Sequence, residues 1–238
     1  MMFKDTLEQA AKAYGLELSA IQLEQFARYY EMLIEWNEKM NLTALTSEQD
    51  VAVKHFIDSL TAYDAGLMTD GARMIDVGTG AGFPGLPLKI FAPRLRLTLL
   101  DSLGKRVKFL TAVVSELGLA GIDIIHGRAE DLARDRAHRE QYDLAVSRAV
   151  ARLSVLAEYT LPFVKVGGHL LALKGRDYAD EEKEAHHALG ELGGATQTIR
   201  PVHLPGLDDV RAIIDIVKQK STPKAFPRKA GVPTKKPL

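Results

Sequence analysis

The chain has 238 residues, 46% of them hydrophobic and 26% charged, with 31 basic against 31 acidic side chains. That length suits one large domain or a domain with an appendage, and the balanced charge argues against indiscriminate binding of polyanions. The absence of cysteine excludes disulfides, thiolate metal sites and a cysteine nucleophile; no apolar run of about 18 residues reads as a membrane span, and the start from Met1 to Glu8 has no apolar signal core, so the cytoplasm is the expected location.

Residues 1–66 read as a helical segment. Asp5-x-x-Glu8 and Ser19-x-x-Gln22 have capping-box spacing, and each predicts a helix start. Leu23, Phe26, Ala27, Tyr30, Leu33 and Ile34 recur at helical spacing, a face that must be buried, and Trp36 belongs with that core. Trp36 to Thr43 reads as a break, and Ser47 with Asp50 predicts another helix through His55 and Leu60. No linker rich in Gly, Pro or Ser follows, so the helices are expected to pack on the remainder.

From about residue 70, short apolar runs alternate with helical stretches. Strands are predicted over 73–77, 97–100, 122–126, 143–146, 168–173, 198–203 and 211–218, and helices over 84–91, 104–117, 153–163 and 178–193. Such alternation implies an α/β fold with a mostly parallel sheet covered on both faces. The expected division is 1–66 helical, 67–220 a ligand-binding domain and 221–238 a basic tail.

Residues 75–85, Ile-Asp-Val-Gly-Thr-Gly-Ala-Gly-Phe-Pro-Gly, carry the functional signal. Gly78, Gly80 and Gly82 remove side chains where the backbone must turn sharply and a ligand can approach. Pro84 suits the first turn of the helix that follows. The next strand ends on Asp101, about 20 residues beyond the glycines, where nucleotide-binding folds place a carboxylate on ribose hydroxyls. Two frames fit. Gly80 to Gly85 satisfies the dinucleotide pattern G-x-G-x-x-G, whereas Asp76 to Gly82 has the acid-x-G-x-G-x-G form typical of S-adenosylmethionine (SAM) methyltransferases. The acid favours SAM, because a carboxylate beside a pyrophosphate would be repelled. Seven strands ending in a close pair also suit the Rossmann-like class I SAM-dependent methyltransferase sheet, with its antiparallel edge strand.

Together with this turn, Asp101-Ser-Leu-Gly-Lys-Arg106, Arg128-Ala-Glu130, Ser147-Arg-Ala149, Gly167-Gly168 and Arg228-Lys-Ala-Gly-Val-Pro233 resemble the RsmG (GidB) family. The N-terminal stretches Trp36-Asn37, Met40 to Thr43 and Lys54 to Phe56 are similar to the same family. The resemblance implies a bacterial methyltransferase acting on N7 of a guanine in 16S ribosomal RNA, with naked RNA or the small subunit as partner. It implies that Gly78, Phe83, Ala129, Glu130 and Arg148 contact SAM.

The residues leave other readings beside this one. Asp101 can cap the helix after Ser102, and Glu130 taken alone reads as a solvated loop acid. Arg148 can grip a cofactor carboxylate, an RNA phosphate or a surface acid. The acceptor is narrowed by what is missing. Without cysteine no pyrimidine-carbon adduct forms, and Val146-Ser-Arg-Ala149 replaces the Asn/Asp-Pro-Pro-aromatic segment of amine methylation. Guanine N7 has an exposed lone pair and needs no general base, so no residue is assigned acid–base catalysis. An NAD(P)-dependent oxidoreductase and a non-enzymatic RNA-binding module are the competing classes, although no Tyr-x-x-x-Lys pair supports the first.

Histidines offer no H-x-x-x-H pair, so no metal site is expected. His55 reads as a core-edge residue that the helical layer can bring near the cleft. After Asp215 no acid remains, while Lys218, Lys220, Lys224, Arg228, Lys229, Lys235 and Lys236 accumulate. This end reads either as a solubilising tail or as an RNA contact made independently of the nucleoside pocket. A monomer is expected.

Overall fold

A computed structural model describes residues 3–238. Helix α1 (Phe3–Tyr14) has Asp5 inside its first turn, at the positive end of the helix dipole, rather than at a cap as predicted. Ser19 does cap α2 (Ala20–Met40): its Oγ accepts the Gln22 N–H while Gln22 Oε1 accepts the Ser19 N–H at 2.9 Å. The break predicted from Trp36 comes later. The helix continues to Met40 and stops where Asn41 turns left-handed at φ 51. Asn37 stays helical and its side chain accepts the Thr43 N–H at 2.8 Å.

Ser47 caps the next helical run, as its spacing with Asp50 predicts. The run comprises α3 (Glu48–Asp50), a π-helical stretch Val51–Ile57 and α4 (Asp58–Leu60). π-Helical turns are rare and concentrate at functional sites, and this one carries His55.

The sheet comprises β1 (Arg73–Val77), β2 (Arg96–Asp101), β3 (Ile122–His126), β4 (Tyr142–Arg148), β5 (Val164–Lys174), β6 (Gly194–Val202) and β7 (Arg211–Lys218). Every predicted strand is present, and the order across the sheet is β3-β2-β1-β4-β5-β7-β6. β7 alone runs against the direction of the other six strands, and it lies one strand in from the edge. The expected antiparallel edge strand is therefore corrected: β6 forms that edge. Intervening helices are α5 (Gly85–Phe91), α6 (Gly104–Glu116), α7 (Ala129–Leu132), α8 (Leu153–Thr160) and α9 (Tyr178–Leu192). Pro84 sits just before α5, not within it.

Side-chain alternation along the strands builds two cores. Met74, Leu97, Leu99, Val146 and Leu171 face the layer of α1, α2, α5 and α6, whereas Ile75, Val77, Leu100, Ala145 and Leu170 face α8 and α9. The N-terminal helices thus share a core with one sheet face. Tyr29 of α2, wholly buried, gives its hydroxyl proton to the Ala81 carbonyl in the glycine turn.

Beyond β7 the chain crosses back over α7 and α8 and ends with α10 (Val232–Lys235). Two cations assigned to the basic end are structural instead. Lys218 is wholly buried, donating to Leu161 O at 2.6 Å and Thr222 Oγ1 at 2.7 Å, and burial lowers its pKa to about 8. Arg228 pairs with Glu158.

Candidate functional site

The strand ends of β1, β2, β4 and β5 border a trough of three adjoining cavities, which share Gly78, Val150, His55 and Arg148 in their linings, at the edge where open α/β sheets bind ligands. The first, about 150 Å³, is lined by Gly78, Asp101, Ala129, Glu130, Val150 and Tyr159. The second, about 190 Å³, lies over the glycine turn, against Gly78, Gly80, Phe83, His55 and Arg148. A third of about 560 Å³ continues past His55, Arg148 and Val150 to Asp58, Lys174 and Arg211. Seven of the eight predicted residues therefore meet in one trough.

Gly82 does not line it. At φ 100 its missing side chain makes room for the Tyr29 hydroxyl and Leu86, so its glycine serves packing. Gly80 is the opposite case: at φ 62 a Cβ would meet nothing within 4 Å. Gly78, at φ 72, is held open by contact, since a Cβ there would strike Val150 at 2.6 Å.

Two carboxylates organise the turn. Asp76 is fully buried; its Oδ2 accepts the Thr79 hydroxyl at 2.7 Å and the Gly85 N–H at 2.8 Å, while Oδ1 is buried without a partner. Burial pushes its pKa up to about 7, against those two hydrogen bonds. Asp101 accepts the Gly80 N–H on Oδ2 and the Leu103 N–H on Oδ1, both at 2.9 Å. Thus it closes the turn that leads to Leu103, the N-cap of α6, and braces the glycine turn while lining the first cavity.

Glu130 corrects the picture of a solvated loop acid. It lies buried in α7, a turn too short to read from periodicity, and its Oε1 accepts the Gly231 N–H at 2.9 Å.

Arg148 is engaged by protein groups. Its Nη1 donates to Asp58 Oδ2 at 2.7 Å and to Lys54 O at 2.9 Å, and its guanidinium lies 5.1 Å over the Phe83 ring. Nη2 is 3.1 Å from His55 Nδ1. Arginine only donates, so Nδ1 accepts and the imidazole proton resides on Nε2, which donates to Thr43 Oγ1 at 2.8 Å. Burial, and then the Arg148 charge, lower the His55 pKa to about 3. The ring stays neutral, stacked 4.5 Å from Phe83.

Asp58, Arg211, Val150 and Tyr159 line the trough without having been singled out from sequence. Ala149, between Arg148 and Val150, is left-handed at φ 57, a costly conformation of the kind that gathers at functional sites. Among the described residues no three His, Asp or Glu side chains converge to hold a metal ion, and no helix is long and apolar enough to cross a membrane.

The strand order, antiparallel β7 and glycine turn after β1 define a Rossmann-like class I SAM-dependent methyltransferase fold. Solved structures share it: a SAM-dependent methyltransferase of Aquifex aeolicus (TM-score 0.55, 18% identity, 74% of this chain and 97% of that one) and fibrillarin of Aeropyrum pernix (0.53, 20%, 68% and 73%). The chain belongs to the GidB family, rRNA small subunit methyltransferase G, which it matches over residues 22–207. It is 48% identical over 238 residues, the whole of both chains, to ribosomal RNA small subunit methyltransferase G of Alkaliphilus metalliredigens. With the Leuconostoc citreum protein of that name it shares 52% over 226 residues, 94% of each.

Proposed function

We propose that the chain transfers a methyl group from SAM to N7 of a guanine in 16S ribosomal RNA. The observation that carries this reading is the row of adjoining cavities that runs from Asp101 past the glycine turn to the space beyond Arg148, each sharing lining residues with the next. The donor set fits SAM. Asp101 and Glu130 supply carboxylates for the hydroxyl and amino donors of a nucleoside, and the open space at Gly80 admits the amino-acid portion. SAM, when bound, supplies a methyl group activated by a sulfonium. The protein's task is to hold donor and acceptor in line.

The third cavity has the surroundings expected for an acceptor base: Arg148 and Arg211 in its lining, His55 and Phe83 as flat faces close by. No proton need leave guanine N7 on methylation. The side chains here match that demand, because neutral His55 has both nitrogens engaged and Asp58 is held by two arginines. The ligand-binding body is 67–220, with 1–66 as a layer packed on it and 221–238 as a basic end. The enzyme works as a monomer, in the cytoplasm with its RNA.

Thermal-shift titration with SAM, S-adenosylhomocysteine and NADH tests the cofactor: stabilisation by the first two alone is expected. Mass spectrometry of small-subunit RNA from cells with and without the gene tests the product. An unchanged guanine-N7 methylation profile would overturn the reading.

A further inference from the structure

The Arg228 to Pro233 motif lies outside the strand ends, yet it is tied to the trough. Arg228 grips Glu158, a fully buried acid on α8. Its backbone N–H and Nε donate to Oε1 at 2.7 and 2.9 Å, and Nη2 donates to Oε2 at 2.5 Å. This two-pronged, charge-assisted contact is one that the planar guanidinium provides and an ammonium does not. Three residues later Gly231, left-handed at φ 79, turns its N–H to Glu130 Oε1. Thr234 Oγ1 then meets the Tyr159 hydroxyl at 2.8 Å. Glu130 and Tyr159 both line the first cavity.

We propose that residues 228–234 form a strap that positions Glu130 for SAM, with Arg228 and Gly231 as positioning residues. This rests on reading the first cavity as the nucleoside pocket. The Gly231 N–H occupies Oε1 and thereby fixes the rotamer of Glu130. Oε2, which has no partner among the described residues, is left for the ligand; a carboxylate oxygen only accepts, so it meets an N–H or O–H of the nucleoside. The strap starts from a half-buried arginine on a fully buried carboxylate, so its register is set by a contact largely shielded from solvent. A glycine is needed at 231 because the N–H reaches Glu130 only from a left-handed backbone, which other residues resist. With the strap loose, Glu130 samples several rotamers and the pocket is competent for only a fraction of the time. Apparent affinity falls by that fraction.

The test compares calorimetric SAM titrations and methylation kinetics of the full-length protein, Arg228→Ala and Arg228→Lys. If only about one molecule in ten of Arg228→Ala holds the pocket competent, SAM binds about tenfold more weakly and KM for SAM rises equally. At saturating SAM, kcat stays that of the wild type, and Arg228→Lys recovers part of the affinity. In the wild type, SAM should slow hydrogen exchange at the Gly231 amide by more than at amides of β7. A folded Arg228→Ala variant with wild-type SAM affinity overturns the proposal, as does a fall in kcat at unchanged KM. If that variant does not fold, the wild-type exchange experiment decides, and a Gly231 amide indifferent to SAM overturns it. A wild-type chain that binds no SAM overturns the cofactor reading itself and the strap's role with it.

Discussion

Arg148 Nη1 reaches Asp58 Oδ2 at 2.7 Å across 90 residues of sequence, joining the end of β4 to the N-terminal helical layer. Both side chains are mostly shielded, 14% and 5% exposed, and Arg211 holds the other carboxylate oxygen at 3.1 Å. Removing one partner of a buried pair costs roughly 3–5 kcal/mol. For Arg148→Ala the loss should fall at the lower end, because Arg211 still neutralises Asp58. Arg148→Lys keeps the charge but not the simultaneous grip on Asp58, Lys54 O and His55, so it should fall between. Urea unfolding measures this. A loss under about 1 kcal/mol, the range of exposed pairs, would mean that the contact is solvated.

This joint was not legible in the sequence, and the reason is physical. The strands stand where apolar runs bounded by Gly and Pro place them, because period and punctuation are local. The partnerships Arg148–Asp58 and Arg228–Glu158 are set by the folded topology, and no spacing announces them. The glycine turn was visible because three glycines and an acid must lie within a few residues. Even there, Gly80 and Gly82 look alike in sequence while one faces the trough and the other Tyr29. Local rules misled over the stretch Trp36 to Thr43, read as a break: the helix runs on to Met40, and the Asn37 side chain accepts the Thr43 N–H beyond its end.

That difference between glycines is testable. Gly80→Ala meets no atom, so its stability cost should be that of one left-handed residue, about 1–2 kcal/mol, while SAM affinity falls because the new methyl enters the trough. Gly82→Ala drives a methyl into the Tyr29 hydroxyl and Leu86 and should destabilise the fold considerably more. Thermal melts and SAM titrations of the pair check this. Equal loss of stability in both variants would contradict the placement of Gly80.

Asp101→Ala should weaken SAM binding. A hydrogen bond to a charged group is worth roughly 1.5–3 kcal/mol, or about 10- to 150-fold in affinity. The substitution also strands the N–H groups of Gly80 and Leu103, so the melting temperature should drop with it. Calorimetry showing unchanged SAM affinity in a folded variant would remove Asp101 from the site.

Asp76 predicts a pH dependence of stability. Burial raises its folded pKa from 3.8 to about 7. Below the unfolded value both states are protonated and the group contributes no difference. Between 3.8 and about 7 the unfolded chain has lost its proton while the folded chain keeps it, so this group's contribution to stability falls as pH rises. The slope is at most about 1.36 kcal/mol per pH unit. Asp76→Asn, which mimics the protonated acid and retains an acceptor for Thr79 and Gly85, should lack that component. Urea titrations of both proteins from pH 4 to pH 7 that give parallel pH profiles would show that Asp76 is ionised throughout.

The basic end divides into cations that hold the fold and cations that face solvent. Lys218 and Arg228 belong to the first group; Lys220 stands exposed, as do the four lysines beyond Thr222, namely Lys224, Lys229, Lys235 and Lys236. Thr234, which directly precedes Lys235 and Lys236, bonds Tyr159 at the first cavity. Contacts of such exposed cations with RNA phosphates would add affinity without reading sequence. Replacing these four lysines by Ala should weaken RNA binding and flatten its salt dependence, each lost contact to single-stranded RNA lowering the log–log slope by about 0.7. SAM affinity should stay unchanged, since Arg228 and Gly231 remain in place. RNA titrations at several salt concentrations decide the matter: an unaltered slope and affinity would leave the four lysines a solubilising role only.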